Sequence, residues 1–280
     1  MAILLPTSLD DACRAAADHP EATLLAGGTD LMVEVNAGHR RPDAVIALGG
    51  VEELRRFTIA DDEITIGAGV TFTTIAEGEL GAALPALAQA ARTVGSPQIR
   101  NAATIGGNLG TGSPAGDSLP VLAALEALVL LRSIDGAREV PIDSFFVGPK
   151  RTDRRDGEVI VGVRLRRPDG PQEFCKLGTR QAMVISVASV AVVADRTDRS
   201  VRVGLGAVGP TPLRAPEAEA FAAGAIDWSG GRGVDSSLTG RFAELVTAAA
   251  RPITDHRSTR DYRLHAVGVM AGRALRRMFP

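Results

Sequence analysis

The chain has 280 residues, 45% of them apolar, which is enough to bury a substantial core in one large domain or two modest ones and argues against disorder. Lys+Arg at 31 against Asp+Glu at 33 leave a formal charge of −2, so there is no electrostatic footprint for nucleic acid. The longest apolar run, Val184 to Ala194, is well short of the roughly 20 residues of a membrane helix, and MAILLPTSLDDAC lacks the basic start of a signal peptide, so a cytoplasmic protein without a membrane span is expected.

Ser8 and Asp11 form a capping-box-like start to a first helix, DDACRAAAD. A strand is expected over Thr23 to Ala26, a turn at Gly27-Gly28, a short helix over Asp30 to Val35 and a second strand over Ala44 to Leu48, together a βαβ-like crossover. Phe57 to Ile59 and Ile64 to Ile66 flank the Asp61-Asp62 turn as a hairpin. A helix follows over Leu84 to Thr93, then a Gly- and Pro-rich segment from Gly95 to Pro120 that reads as one long functional loop. The charged stretch Lys150 to Glu158 reads as a solvated loop. Val159 to Leu165 reads as a strand, and Arg166 to Pro171 as a linker, which places a domain boundary there. Beyond it lie strands over Phe174 to Leu177, Val187 to Ala194 and Val201 to Ala207, then helices over Ala215 to Ala223, Leu238 to Ala249 and Asp261 to Arg277, a small sheet with helices on one face.

Two glycine bends carry the chemistry. In Leu24-Leu25-Ala26-Gly27-Gly28-Thr29-Asp30-Leu31 a strand ends and a helix begins, so free amides converge where an anion fits, while Asp30 can cap its own helix and face away. Such a turn can equally be plain structure. In Arg100 to Asp117 the backbone can approach a ligand at Gly106 and Gly107, and Thr104, Asn108 and Ser113 supply polar groups; Asp117 can accept bonds from sugar hydroxyls. A purely structural Ω-loop is the alternative. Gly204-Leu205-Gly206-Ala207-Val208-Gly209 matches a dinucleotide fingerprint, but Pro210 and Pro212 stand where its helix should begin, so a structural turn is expected.

The four histidines have no metal spacing, and His256 and His265 are expected at a helix surface. Cys13 and Cys175 read as small buried hydrophobes. Two cysteines cannot by themselves hold an iron–sulfur cluster, which needs about four thiolates.

AGGTDL at 26–31 and RNAATIGGNLGTGSPAGDSLP at 100–120 resemble the paired FAD pyrophosphate loops of the flavoprotein (medium) subunits of molybdenum hydroxylases, the xanthine dehydrogenase and carbon monoxide dehydrogenase family. GPKRT at 148–152, GEVIVGVRL at 157–165, FCKLGTRQAMVIS at 174–186, GAVGPTPLRA at 206–215 and PITDHRSTRDYRLHAVGVMAGRAL at 252–275 extend the resemblance over essentially the whole chain. The resemblance implies an α+β fold: an FAD-binding domain of the p-cresol methylhydroxylase type over 1–168, with subdomains of about 1–55 and 56–168, then a small α+β C-terminal domain over 172–280 with an antiparallel sheet plus helices.

It also implies that Leu24, Leu25, Ala26, Gly27, Gly28, Thr29, Asp30 and Leu31 wrap the FAD diphosphate, and that Thr104, Ile105, Gly106, Gly107 and Asn108 hold the flavin side of it. Ser113 and Asp117 would lie near the ribityl or ribose hydroxyls, Ile160 would pack on the cofactor and Lys176 would reach it. Lys176-x-Gly178-x-Arg180 is similar to the xanthine-dehydrogenase-like branch, whereas Val94 stands where animal relatives place an aromatic residue against the flavin. The implied role is electron transfer from the [2Fe–2S] clusters of a small subunit, fed by the molybdenum cofactor of a large one, to NAD, oxygen or a quinone. No metal and no acid or base is assigned to this chain. A self-sufficient FAD-dependent oxidase or reductase, and a non-enzymatic nucleotide-binding scaffold, are the rival readings.

Overall fold

The computed structural model describes residues 2–280. The first helix, Leu9–Asp18, starts as the sequence predicts: Ser8 Oγ accepts the Asp11 amide at 3.1 Å. Leu9, Ala12, Cys13 and Ala16 are buried at helical spacing, which gives the helix one core-facing stripe. The expected crossover is present: Thr23–Leu25 and Ala44–Ala47 pair in parallel, with Leu31–Asn36 between them, and Ala2–Leu4 adds a third parallel strand on the other side of Ala44–Ala47.

The hairpin Phe57–Ile59 and Glu63–Gly67 is the edge of a five-stranded antiparallel sheet. Val159–Arg166 occupies its centre, and a hairpin absent from the sequence reading, Leu128–Ser133 with Gly136–Pro141, completes it. Helices Phe72–Ala76 and Gly78–Ala83 were likewise not expected; Gly78, Gly81 and the β-branched Thr73, Thr74 and Ile75 carry weak helical propensity, and the side chain of Thr71 caps the first by accepting the Thr74 amide.

The segment from Gly95 to Pro120 is not one long loop. It folds as Pro97–Ala102, Ile105–Thr111 and the start of Ser118–Ala124. Ser96 caps the first of these ahead of Pro97, Thr104 caps the second, and Gly112 ends it at φ 56°. Counting glycines as breakers hid these caps. Lys150 to Glu158 is also more than a solvated loop. Arg151–Thr152 pairs with Phe146–Gly148, and buried Glu158 accepts Arg138 Nε at 2.6 Å and the Arg155 amide at 2.7 Å.

The chain leaves the five-stranded sheet at Arg166 and enters an antiparallel sheet at Gln172, ordered Gln172–Leu177, Ala188–Asp195, Ser200–Gly206, Leu213–Arg214. Every residue of Ala188–Asp195 is buried because both faces are covered, not one. Alternate residues face opposite ways: Ala191 and Val193 join the core of the N-terminal part, while Val190, Val192 and Ala194 pack with helices Pro216–Ala225, Ser236–Ala249 and Arg260–Met278. Helices Pro85–Thr93 and Ser118–Ala124 cover the first face. A Cβ at Gly204 would overlap the Pro120 carbonyl, so the fingerprint-like glycine serves close helix-on-sheet packing.

Cys13 is buried, but Cys175 is only half-buried, beside Arg277. His265 is exposed on its helix, whereas exposed His256 lies in the turn before it.

Candidate functional site

A cleft of about 1230 Å³ is lined by both glycine bends, by Val70 to Thr71, by Ile160 and by Lys176, Val184 and Ile185. Its size is at or above the upper end of the roughly 300–1,000 Å³ of small-molecule sites and suits an extended dinucleotide. Leu24 to Leu31, Val94, Thr104, Gly106, Gly107, Asn108, Ser113, Asp117, Ile160 and Lys176 all line it. Ile105 does not: its side chain is fully buried in the core and its amide donates to the Val70 carbonyl at 3.1 Å, because the residue after the cap is the one turned inward.

The bends meet closely. A Cβ at Gly27 would overlap the Ala102 carbonyl, and one at Gly107 would lie 3.8 Å from the Ala26 methyl. Gly28 adopts φ 72°, a conformation glycine takes without strain. Asp30 does not cap its helix; its carboxylate accepts the Thr111 hydroxyl at 3.0 Å and so ties one bend to the other.

The two bends differ in what they can offer an anion. Among the described residues the amides of Gly27, Gly28, Thr29 and Asp30 have no protein acceptor. In the second bend Gly106 donates to the Ala68 carbonyl at 2.9 Å, and Gly107 donates to Thr104 Oγ1 at 3.0 Å. The first bend thus offers four consecutive free amides, whereas the amides of Gly106 and Gly107 are spent inside the protein and those glycines contribute close approach. Asn108 Oδ1 accepts Ser118, which leaves its amide nitrogen for a ligand, and Ser113 Oγ accepts the Ala115 amide.

The expectation for Asp117 is corrected. It is buried and its oxygens are engaged by Lys176 Nζ at 2.5 Å, Ser186 Oγ at 2.5 Å and Thr93 Oγ1 at 3.2 Å, so it is not an open acceptor for sugar hydroxyls. Burial pushes its carboxyl up from the ordinary range, against the lowering pull of Lys176 and the hydroxyl donors. Several cations border the cleft. Lys150 and Arg40 approach Glu34 at 3.3 Å and 3.9 Å, whereas Arg154 bonds the carbonyls of Arg155 and Glu158 and has no carboxylate partner among the described residues. Arg154, Arg55, Val70 and Thr71 were missed by sequence reasoning because they come from three separate stretches with no shared motif. No cluster of His, Cys, Asp or Glu among the described residues could hold a metal ion. Free amides at a strand-to-helix bend, a close glycine wall and an uncompensated guanidinium fit a diphosphate-bearing flavin.

The profile of the FAD binding domain in molybdopterin dehydrogenase matches residues 1–168, and that of the CO dehydrogenase flavoprotein C-terminal domain matches 173–278. The putative xanthine dehydrogenase FAD-binding subunit of Escherichia coli K12 is 32% identical over 279 residues, covering 96% of this chain and 92% of that one. The nicotinate dehydrogenase FAD-subunit of Eubacterium barkeri is 37% identical over 218 residues, 74% of this chain and 73% of the other. The crystal structure of quinoline 2-oxidoreductase from Pseudomonas putida 86 superposes with a TM-score of 0.90 at 25% identity, covering 99% of this chain and 96% of that one. The chain therefore belongs to the family of FAD-binding subunits of molybdenum hydroxylases, the oxidoreductases that include xanthine dehydrogenase and carbon monoxide dehydrogenase.

Proposed function

We propose that this chain is the electron-output subunit of a molybdenum hydroxylase complex, taking electrons from the [2Fe–2S] centres of a small partner subunit, with a large molybdenum subunit upstream, and passing them to NAD, oxygen or a quinone. The observation that carries this is the junction of the two bends: unpartnered amides at Gly27 to Asp30 face a glycine wall across one cleft. Two cysteines are too few for an iron–sulfur centre of its own, so those centres fall to a partner.

Within the cleft, the amides of Gly27 to Asp30 would bind the diphosphate, with the positive charges of Arg154 and Lys150 favouring an anion there. Thr104, Gly106, Gly107 and Asn108 would bound the flavin side, Ile160 and Val94 would give it apolar contact, and Lys176 would stand at the far end beside Ser113 and Asp117. Bound FAD supplies the exchange between single-electron donors and a two-electron acceptor. The division of labour follows the chain: residues 1–168 would hold the cofactor and 172–280 would close the acceptor end. Val94, where an aromatic is expected from animal relatives, would give that end a smaller apolar wall.

The xanthine-dehydrogenase-like run Lys176-x-Gly178-x-Arg180 and the nicotinate and quinoline relatives favour an N-heterocycle as the complex's substrate. No described helix is long and apolar enough to cross a membrane, in keeping with a cytoplasmic complex. Co-purification from the native host with metal analysis tests the proposal. Flavin on this chain with iron and molybdenum on its partners supports it; a lone chain that oxidises an organic substrate unaided refutes it in favour of a self-sufficient oxidase.

A further inference from the structure

Lys176 has a side chain only 9% exposed and Asp117 one only 6% exposed, and they pair at 2.5 Å on the cleft wall. The ammonium has three donors. One goes to Asp117 and one to the Thr93 carbonyl at 3.1 Å; the third has no acceptor among the described residues, and Lys176 lines the cleft. What holds the pair in place is neutral. The Thr93 hydroxyl has one proton, and its shorter contact, 2.7 Å to the Ala90 carbonyl, claims it over Asp117 at 3.2 Å. That leaves Ser186, 1% exposed, as the main neutral donor to the carboxylate, at 2.5 Å on the oxygen that Lys176 does not use.

Ser186 is itself braced. Its neighbour Val187 donates its amide to the Leu177 carbonyl at 2.8 Å and accepts Arg263 Nη1 on its own carbonyl at 2.5 Å. Buried Arg263 also bonds the Ala207 carbonyl at 2.9 Å and Asp255 at 2.7 Å. The C-terminal stretch Asp255 to Arg263, which has no place in the cleft wall, thus reaches it through one backbone residue.

We infer that Ser186 is a positioning residue: braced by Arg263 through Val187, it orients Asp117 so that the Lys176 ammonium is fixed with one N–H directed to the flavin end of the cleft. The inference rests on the reading of the cleft as the FAD site. A fixed cation there favours added electron density on bound flavin, so the pair's geometry is read out by the flavin's reduction potential.

The test uses the full chain loaded with FAD, with flavin content of the wild type measured first. Lys176→Met is expected to lower the two-electron midpoint potential. Ser186→Ala is expected to move the potential and to weaken FAD binding on the order of fivefold, the change carried by one ordinary hydrogen bond. Ser186→Thr, which keeps the hydroxyl, is expected to restore both. Should Ser186→Ala not fold, Ser186→Cys, nearly isosteric and a weak donor, makes the same comparison. A wild-type potential and affinity in Ser186→Ala, beside a shifted Lys176→Met, overturns the positioning role. An unshifted Lys176→Met that still binds FAD overturns the premise that the flavin senses this cation. A wild-type chain that takes up no FAD removes the reading of the cleft itself, and the inference with it.

Discussion

Gly107→Leu separates the binding of FAD from the integrity of the fold. A Cβ at this position would meet only Thr104 Oγ1 at 3.2 Å and the Ala26 methyl at 3.8 Å, and no positive φ forbids a side chain there. The backbone therefore needs no large shift, and the helix gains up to about 1 kcal/mol in propensity over glycine. The longer side chain instead fills the gap between the bends and keeps a diphosphate from the amides of Gly27 to Asp30. Losing two charge-assisted hydrogen bonds at about 1.5–3 kcal/mol each removes about 3–6 kcal/mol, or on the order of 10²–10⁴ in Kd. The assay is FAD titration by flavin fluorescence, with a thermal melt of the apo chain alongside. Near-wild-type melting with affinity lost is the expected pair of results; a variant that binds FAD as tightly as the wild type would refute the placement of the diphosphate between the bends.

Gly27→Ala should instead disturb the fold as well, since its methyl overlaps the Ala102 carbonyl, and destabilise the apo chain by about 1–3 kcal/mol in a denaturant titration. Asp30→Ala removes an exposed tether to Thr111, so global stability should change by about 1 kcal/mol or less while FAD affinity falls, because the bends are no longer held in register. Asp255→Asn leaves the guanidinium of Arg263, only 2% exposed, without its carboxylate and should cost about 3–5 kcal/mol by chemical denaturation. Burial opposes charge on Asp255, but the amides of Arg257 and Ser258 and the guanidinium groups of Arg263 and Arg257 outweigh it and hold the carboxyl well below the usual range. The unfolded chain then binds the proton first on acidification, so this stabilisation is complete above the ordinary carboxylate pKa and is lost as pH falls through and below it. Unfolding curves taken downward from pH 7 should show the wild type's advantage over Asp255→Asn constant above the ordinary carboxylate range and shrinking only below it.

Much of the local structure was legible because it is written in short-range signals. Ser8 and Asp11 start a helix, two apolar runs around Gly27-Gly28 form a parallel crossover, and an alternating or continuous apolar run marks each central strand. The misreadings were of competing local signals: Ser96-Pro97 and Thr104 were helix starts inside a stretch judged by its glycines, and the hairpin Leu128–Ser133 with Gly136–Pro141 went unmarked. Of the candidate site, the two bends stood out because clustered glycine at a strand end is costly without a reason.

By itself, the order of residues determined most of the strands and the longer helices, where the bends fall and that two cysteines cannot carry a cluster, since these depend on caps, periodicity and composition within a few residues. Only the tertiary structure decided which amides stay free, that Asp117 spends its oxygens on Lys176 and Ser186, that Asp30 ties the bends instead of capping, and that Gly204 seats Pro120. Each of those depends on a partner that is distant in the chain, and a hydrogen bond or a close approach is settled by where that partner arrives.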